Sequence, residues 1–215
     1  MNKIIPSLVM AVLLIAGCKK DNFKKPESLL TGRVVYNKEA LGLRSNGVQL
    51  ELWQHGFELF TKIPVYLAQD GTFSASLFNG SYRLVLRQGN GPWRDVSDSL
   101  DVAVNGTTNV EVPVRPYFVI SNVTFTKNGN TVTAVFSVTA VDGSLPLEAV
   151  SLYVGRTDIV DQVNNAGAVS TLPDISQPVT MNIDATNFTG VFFARVGVKT
   201  AGVAEQVYST VEKLQ

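Results

Sequence analysis

The chain has 215 residues, with 18 basic and 18 acidic side chains that balance its formal charge. Nucleic-acid binding draws much of its affinity from phosphate neutralisation, and this chain has no basic excess to supply it. The single histidine and single cysteine exclude a zinc site built from several such ligands and a disulfide within the chain. We therefore expect one large or two small domains held by packed cores, without metal or cofactor.

The N-terminus has the pattern of a secretory signal. Lys3 supplies a positive charge, an apolar run extends to Ile15, and the small residues Ala16 and Gly17 precede Cys18. The apolar run is too short to cross a bilayer, which needs about 20 residues. The last four residues of this pattern resemble the bacterial lipobox.

That resemblance implies that residues 1–17 are removed and that Cys18 carries the lipid. Several acyl chains then hold the protein on a membrane, because one chain alone binds only marginally. The alternative is an ordinary signal peptide followed by a free thiol, which is a liability in an oxidising compartment. Lys20 and Asp21 are similar to the surface-export tag of Bacteroidetes lipoproteins, and residues 18–29 are predicted to form a polar tether.

Residues 30–116 are predicted to form a β-sandwich. Short runs alternate apolar and polar residues between Gly, Asn, Asp and Pro, which is typical of all-β domains. Asp70-Gly71 predicts a tight turn, because glycine takes a positive φ at little cost. The predicted inward rows are Val48/Leu50/Leu52, Ile63/Val65/Leu67, Phe73/Ala75/Leu77, Tyr82/Leu84/Leu86, Leu100/Val102/Val104 and Val110/Val112/Val114.

Four segments carry a family resemblance: TGRVVY (31–36), GVQLELWQ (47–54), DGTFSASLFNGSYRLVL (70–86) and NVEVPV (109–114). Together they are similar to the seven-strand sandwich of carboxypeptidase-regulatory and transthyretin-like domains, and of Cna-B-type repeats. The resemblance implies a fold and no activity.

Residues 117–215 are predicted to form a second sandwich. Pro116 marks the boundary, because proline cannot donate to a central ladder. The pattern resembles an immunoglobulin or fibronectin type III domain without the antibody disulfide. Tyr153 is predicted to face outward, and residues 158–166 are expected to form one or two helical turns. The predicted inward rows are Val132/Ala134/Phe136/Val138, Val150/Leu152/Val154 and Val179/Met181/Ile183.

The whole arrangement, a lipobox followed by two sandwiches, resembles a Bacteroidetes family of two-domain outer-membrane lipoproteins. Members are commonly encoded beside SusC/SusD-type glycan importers. The resemblance implies a place at the outer membrane, on the cell surface, in polysaccharide uptake. It carries no catalytic motif.

The residues favour binding over catalysis. No GxSxG elbow or GxxxxGK phosphate loop is present. His55 could join a Ser-His-Asp triad, which only geometry defines. Asp95, Asp98 and Asp101 could supply paired carboxylates for glycoside cleavage, but such acids are more often solvated charges. We therefore expect no enzyme activity, with a hydrolase as the weaker alternative.

Exposed aromatic residues are the strongest binding signal. A flat ring can stack on the C–H face of a sugar while polar side chains bind its hydroxyls. The predicted carbohydrate contacts are Trp53, His55, Tyr66, Trp93, Arg94 and Asp95. In the alternative, Trp53 covers a sheet edge or the domain seam and Trp93 packs inside its own loop. Phe57 and Phe60 are expected to be packing residues.

Asp98-Ser99-Leu100 resembles the O-glycosylation motif of Bacteroidetes exported proteins, which implies modification of Ser99. The sequence thus predicts a surface lipoprotein that binds glycan without cleaving it and assists uptake by a SusC/SusD-type partner. The alternative is a structural spacer or accessory subunit of such a complex, with no ligand of its own.

Overall fold

The computed structural model describes residues 24–56 and 60–215, which form sixteen β-strands and no α-helix. The predicted signal peptide, the predicted lipidation site Cys18 and Phe57 lie outside these residues. Within them, no helix is long and apolar enough to span a membrane. The two-domain all-β architecture predicted from the sequence is confirmed.

The N-terminal sandwich consists of two facing sheets. In the first, β1 lies between β5 and β8, and β2 extends it along one end of β1; in the second, the order is β4-β3-β6-β7. Apart from the two-residue β2, which the sequence did not predict, seven strands build this domain, as the resemblance implied. The strands are β1 (Ser28–Tyr36), β2 (Glu39–Ala40), β3 (Gln49–Gln54), β4 (Lys62–Tyr66), β5 (Thr72–Leu77), β6 (Gly80–Leu86), β7 (Ser99–Val104) and β8 (Thr107–Pro113).

Alternation of side chains places the predicted rows between these sheets. Leu50, Leu52 and Leu84 are at most 2% exposed, because successive residues of a strand point to opposite faces. The Asp70-Gly71 turn is present, with Gly71 at φ +78°. Leu100 differs from the prediction: it is 37% exposed, since it lies at the start of the edge strand β7, whereas Val102 and Val104 further along that strand are buried.

The C-terminal sandwich is built in the same way. A sheet of order β13-β10-β9 packs on a sheet of order β12-β11-β14-β15, with β16 also paired to β14. The strands are β9 (Phe118–Asn128), β10 (Thr131–Ala140), β11 (Leu147–Gly155), β12 (Gly167–Thr171), β13 (Val179–Asp184), β14 (Phe192–Thr200), β15 (Val207–Tyr208) and β16 (Glu212–Leu214).

One prediction for this domain is wrong, and another holds only in part. The segment 158–166 forms turns rather than a helix, because the buried Asp161 carboxylate accepts hydrogen bonds from the backbone N–H groups of Val163 and Asn164, both at 2.8 Å. Such local bonds compete with helix formation. Tyr153 does leave the sandwich core, yet it is only 5% exposed, because Tyr208 packs over it at 6.2 Å between ring centroids.

A buried arginine on β14 joins the two domains. Arg195 is 1% exposed. Its guanidinium donates to the carbonyls of Ser209 (2.8 Å), Val160 (3.3 Å) and, in the other domain, Gln69 (2.8 Å). It also stacks on the Tyr208 ring at 4.6 Å. Burial lowers the pKa of Arg195 to about 10, so the side chain stays charged at neutral pH.

Backbone and apolar contacts reinforce this seam. The Tyr208 N–H donates to the Gly42 carbonyl at 2.9 Å, forming a bridge between the domains. Val207, from the C-terminal domain, is part of the N-terminal core. Arg44 and Glu205 form an ion pair across the same seam. The two sandwiches are therefore coupled by packing as well as by the connecting chain.

An aspartate makes a further contact between the two domains, near the connecting chain. The Asp142 carboxylate lies 3.1 Å from Arg115 Nε and 3.7 Å from Arg94 Nη1. Arg94 thereby reaches from the N-terminal domain into the C-terminal one. Tyr117, directly after the boundary residue Pro116, is 9% exposed and belongs to the C-terminal core.

Acid is expected to weaken this contact. Hydrogen bonds from Ser144, and then the charges of Arg115 and Arg94, hold the pKa of Asp142 below its usual 3.8. A carboxyl whose pKa is lower in the folded state stabilises the fold above its unfolded pKa, and that contribution disappears as the pH falls through the folded pKa. The loss of stability between about pH 5 and about pH 2 should be smaller in Asp142→Asn than in the wild type. Thermal melts across that range measure it, and identical slopes would contradict the expectation.

Candidate functional site

The strongest candidate surface is the side of the β4-β3-β6-β7 sheet that faces away from the core, here called the outer face. Residues directly opposite each other on paired strands share a face, so the strand register defines its rows. One row crosses all four strands: Lys62, Trp53, Arg83 and Asp101. The neighbouring rows are Pro64, Glu51, Val85 and Ser99, and then Tyr66 and Gln49.

Three aromatic rings cluster at one end of the outer face. Trp53, at the end of β3, is half-buried and its ring centroid lies 5.1 Å from that of Phe60. His55 lies 5.5 Å from Phe60 on the same cluster. Phe60 is 51% exposed. Trp53 lies on the non-core face, as the alternation predicted, and the cluster offers apolar ring surface to solvent.

Phe60 was expected to be a packing residue. It does pack against Trp53 and His55, yet half of its surface is open. The signal was available, because Phe60 continues the two-residue period of Lys62, Pro64 and Tyr66, which face outward, whereas Val65 is buried. Extending that alternation back from β4 would have placed Phe60 beside Trp53.

Charged side chains beside the rings are paired with one another. Lys62 Nζ lies 2.7 Å from Glu51 Oε1, and Arg83 Nε lies 3.3 Å from Asp101 Oδ1. Exposed pairs of this kind contribute little to stability. They do leave carboxylate oxygens and guanidinium N–H groups at the surface, which can bind hydroxyl groups. The outer face therefore combines exposed rings with fixed polar groups.

Tyr66 lies at the other end of the outer face and is 52% exposed. Its partner across the ladder is Gln49, whereas Trp53 pairs with Lys62. Tyr66 also lines a groove over the other sheet of the same domain. The predicted contacts Trp53, His55 and Tyr66 thus share a single face of one domain.

Trp93 is not on this surface. It is 3% exposed and belongs to the N-terminal core. Its indole packs on Gly91, where an added Cβ would lie 2.2 Å from the ring, and its backbone forms a bridge to Pro116. The expectation that Trp93 presents its ring to a ligand is wrong. The alternative, in which the ring packs inside its own loop, is correct.

The two neighbours of Trp93 also hold structure together. The Asp95 carboxylate accepts a hydrogen bond from the Gly89 N–H at 2.8 Å and so closes the loop that contains both. The Arg94 N–H donates to the Arg115 carbonyl at 2.9 Å, and its side chain extends toward Asp142. Both side chains remain exposed, but they support the domain connection at a place separate from the outer face.

The remaining predicted groups are spread out. Ser99 is exposed at the start of β7. Asp101 lies on β7 and is paired with Arg83, whereas the Asp95 carboxylate accepts a hydrogen bond from the Gly89 N–H. In the part of the chain that the structure describes, His55 makes no hydrogen bond to a serine or a carboxylate, and no group of three or more His, Cys, Asp or Glu residues could hold a metal ion.

The fold and the surface define a class: a protein of two coupled β-sandwiches with an open aromatic face on the first. The chain belongs to the DUF3823 family. Residues 28–115 match the family described as "Protein of unknown function (DUF3823) N-terminal domain", and residues 118–213 match "Domain of unknown function (DUF3823_C)". No functionally curated protein matches the sequence.

Solved structures agree with this membership. A DUF3823 family protein from Bacteroides ovatus is 38% identical, with 86% of this chain and 97% of that chain covered and a TM-score of 0.81. One from Parabacteroides merdae is 37% identical, with 89% and 100% covered and a TM-score of 0.82. A Bacteroides uniformis protein described as a "putative carbohydrate binding protein" is 20% identical, with 88% and 99% covered and a TM-score of 0.73, which shows a shared fold.

Proposed function

We propose that this protein is a lipid-anchored, surface-exposed outer-membrane protein that captures glycan on the outer face of its first domain, without cleaving it. The single observation that carries the binding proposal is the exposed cluster of Trp53, Phe60 and His55 beside fixed polar groups. The Bacteroides uniformis protein of the same fold, with its carbohydrate-binding description, adds support for the ligand class.

In this proposal, the lipid anchor makes weak glycan binding effective. Lipidation at Cys18 would hold the two sandwiches at the outer membrane, where tethering raises the effective concentration of a weak binder beside its partner. In this proposal the partner is a SusC/SusD-type importer that receives the captured glycan. The lipobox resemblance and the tether at residues 18–29 support this placement.

The direct test is retention on polysaccharide. Residues 24–215, which contain both hydrophobic cores, are run by affinity electrophoresis through gels that each contain one plant, algal or host polysaccharide. We expect retardation by at least one polysaccharide. Because an aromatic stacking contact contributes about 0.5–1.5 kcal/mol and Trp53 is already half-buried, Trp53→Ala should weaken that binding about threefold to tenfold.

Phe78→Ala is the control, because Phe78 is also a surface aromatic residue, 46% exposed, but lies in the connection between β5 and β6, off the outer face. It should bind like the wild type. Failure of every polysaccharide to retard the wild type, or equal retardation of Trp53→Ala and the wild type, would refute binding at this face.

A second function, that of a rigid spacer or accessory subunit, is favoured by the domain seam. Arg195 joins the domains by hydrogen bonds, and Arg44 and Glu205 add an ion pair. Two domains coupled in this way could hold a partner at a fixed position without binding glycan. Co-purification with a SusC/SusD-type complex, together with no retention on any polysaccharide, would select this function over the first.

A further inference from the structure

A polar groove on the other sheet of the N-terminal domain begins at Tyr66. Its volume is about 570 Å³, within the range of ligand sites. The side chains that give it its chemistry are Thr31, Arg33, Asn46, Ser74, Asn109 and Glu111. They come from β1, β5, β8 and the loop before β3, so one domain supplies the whole groove.

Tyr66 connects this groove to the aromatic cluster. It lies on β4, four residues from Lys62, which is opposite Trp53. At about 3.4 Å per residue, the two ends of the outer face are therefore about 14 Å apart along the strands. β4 and β5 are the edge strands of their sheets on one side of the sandwich and contact each other. A chain lying along β4 can thus pass over Tyr66 into the groove.

The groove offers hydrogen-bonding groups but little net charge. The Asn109 Nδ2 donates to Thr31 Oγ1 at 2.9 Å, which fixes both side chains. Arg33 Nη2 lies 2.6 Å from Glu111 Oε1, so the cation and the carboxylate offset each other. Hydroxyl, amide and paired charged groups suit a ligand rich in hydroxyls. Arg33, the cationic side chain among the lining residues, is paired with Glu111, so the groove does not favour an acidic ligand.

Building on the proposed function, we propose that this groove is a second subsite for the same ligand. The ligand class is then a linear, uncharged glycan of several sugar units, bound from the Trp53 cluster over Tyr66 and into the groove. A single sugar or a disaccharide occupies only one end.

A length series tests this subsite. Full-length protein in detergent is titrated with oligosaccharides of increasing length, from the disaccharide upward, prepared from a polysaccharide that retards the wild type. Affinity should rise with length until the chain spans both ends. Tyr66→Ala, which removes one aromatic contact, should weaken binding of the longest oligosaccharide about tenfold. Ser74→Trp, whose side chain fills the groove, should weaken that binding to a similar extent. Binding of the shortest ligand should not change, and Phe78→Ala should match the wild type throughout.

The outcomes separate the two proposals. If the wild type binds polysaccharide but affinity does not grow with length, or if Ser74→Trp binds the longest chain as tightly as the wild type, the second subsite is wrong and the outer-face site remains. If the wild type binds no polysaccharide, both proposals fail. Melting temperatures confirm that the variants are folded, and Asn109→Ala, which removes an exposed amide from the groove, replaces Ser74→Trp if the latter unfolds.

Discussion

Replacement of Arg195 by alanine is expected to lower the free energy of unfolding by at least about 2 kcal/mol, because each buried acceptor left without a donor costs about 1–3 kcal/mol. The Ser209 and Val160 carbonyls would lose their donor, whereas the Gln69 carbonyl still accepts from the Leu43 N–H at 3.0 Å. The guanidinium serves three carbonyls: those of Ser209, Val160 and Gln69. Its removal also leaves a void beside the Tyr208 ring. Since the Gln69 carbonyl belongs to the other domain, the two domains should also unfold less cooperatively.

Urea unfolding followed by tryptophan emission and by circular dichroism measures both effects. Arg156→Ala is the matched control: Arg156 is exposed, donates to the Asn187 carbonyl at 3.0 Å and stacks over Phe188. Surface substitutions of this kind usually change stability by no more than about 0.5 kcal/mol. Equal stabilities of the Arg195 and Arg156 variants would show that the buried arginine does not couple the domains.

Gly42→Ala is expected to destabilise the protein by about 1–3 kcal/mol, the usual cost of overpacking. An added Cβ would lie 2.2 Å from the Tyr208 carbonyl oxygen. That atom is backbone and cannot rotate away, so the bridge between the domains must open. The loss should appear as a lower midpoint of the transition.

Gly143→Ala provides the comparison at a site without neighbours, because an added Cβ there meets no heavy atom within 4 Å. Its stability should equal or slightly exceed that of the wild type, since alanine restricts the unfolded chain. The pair is best measured by thermal and urea unfolding side by side. A Gly42→Ala protein as stable as Gly143→Ala would contradict the close approach at the seam.

The strand pattern could be predicted because alternation is a local property. The rows around Leu50, Leu84 and Val132 are buried as expected, and Trp53 follows from the same alternation. The loop around Trp93 could not be predicted in that way. Its indole contacts Gly91 and its backbone meets Pro116, and no period in the sequence signals those contacts. The residue types around Trp93 suggested a sugar site. In the structure the Trp93 ring packs on Gly91, and the bridge to Pro116 makes this loop part of the domain connection.

The contacts between the two domains could not be predicted from the sequence either. Arg195 is flanked by apolar residues in β14. The sequence therefore places a charged residue at a position where an apolar one would be expected. Its partners at Gln69 and Val160 are distant in the chain. Tyr153 was predicted to be outward because its strand alternates, which is correct for the sandwich, but the C-terminal segment with Tyr208 covers it. Local alternation determines which face of a strand a side chain lies on. Only the complete fold determines whether another segment packs over that face.

The chain contains two tryptophans, and their emission can test the central proposal directly. In Trp93→Phe the remaining indole is Trp53, half-buried on the outer face; in Trp53→Phe it is Trp93, which is 3% exposed. Both variants are titrated with a polysaccharide that retards the wild type. Glycan binding at the outer face should change the emission of Trp53 in the first variant and leave the emission of Trp93 unchanged in the second. A ligand-dependent change in Trp93 emission, with none in that of Trp53, would contradict binding at the outer face.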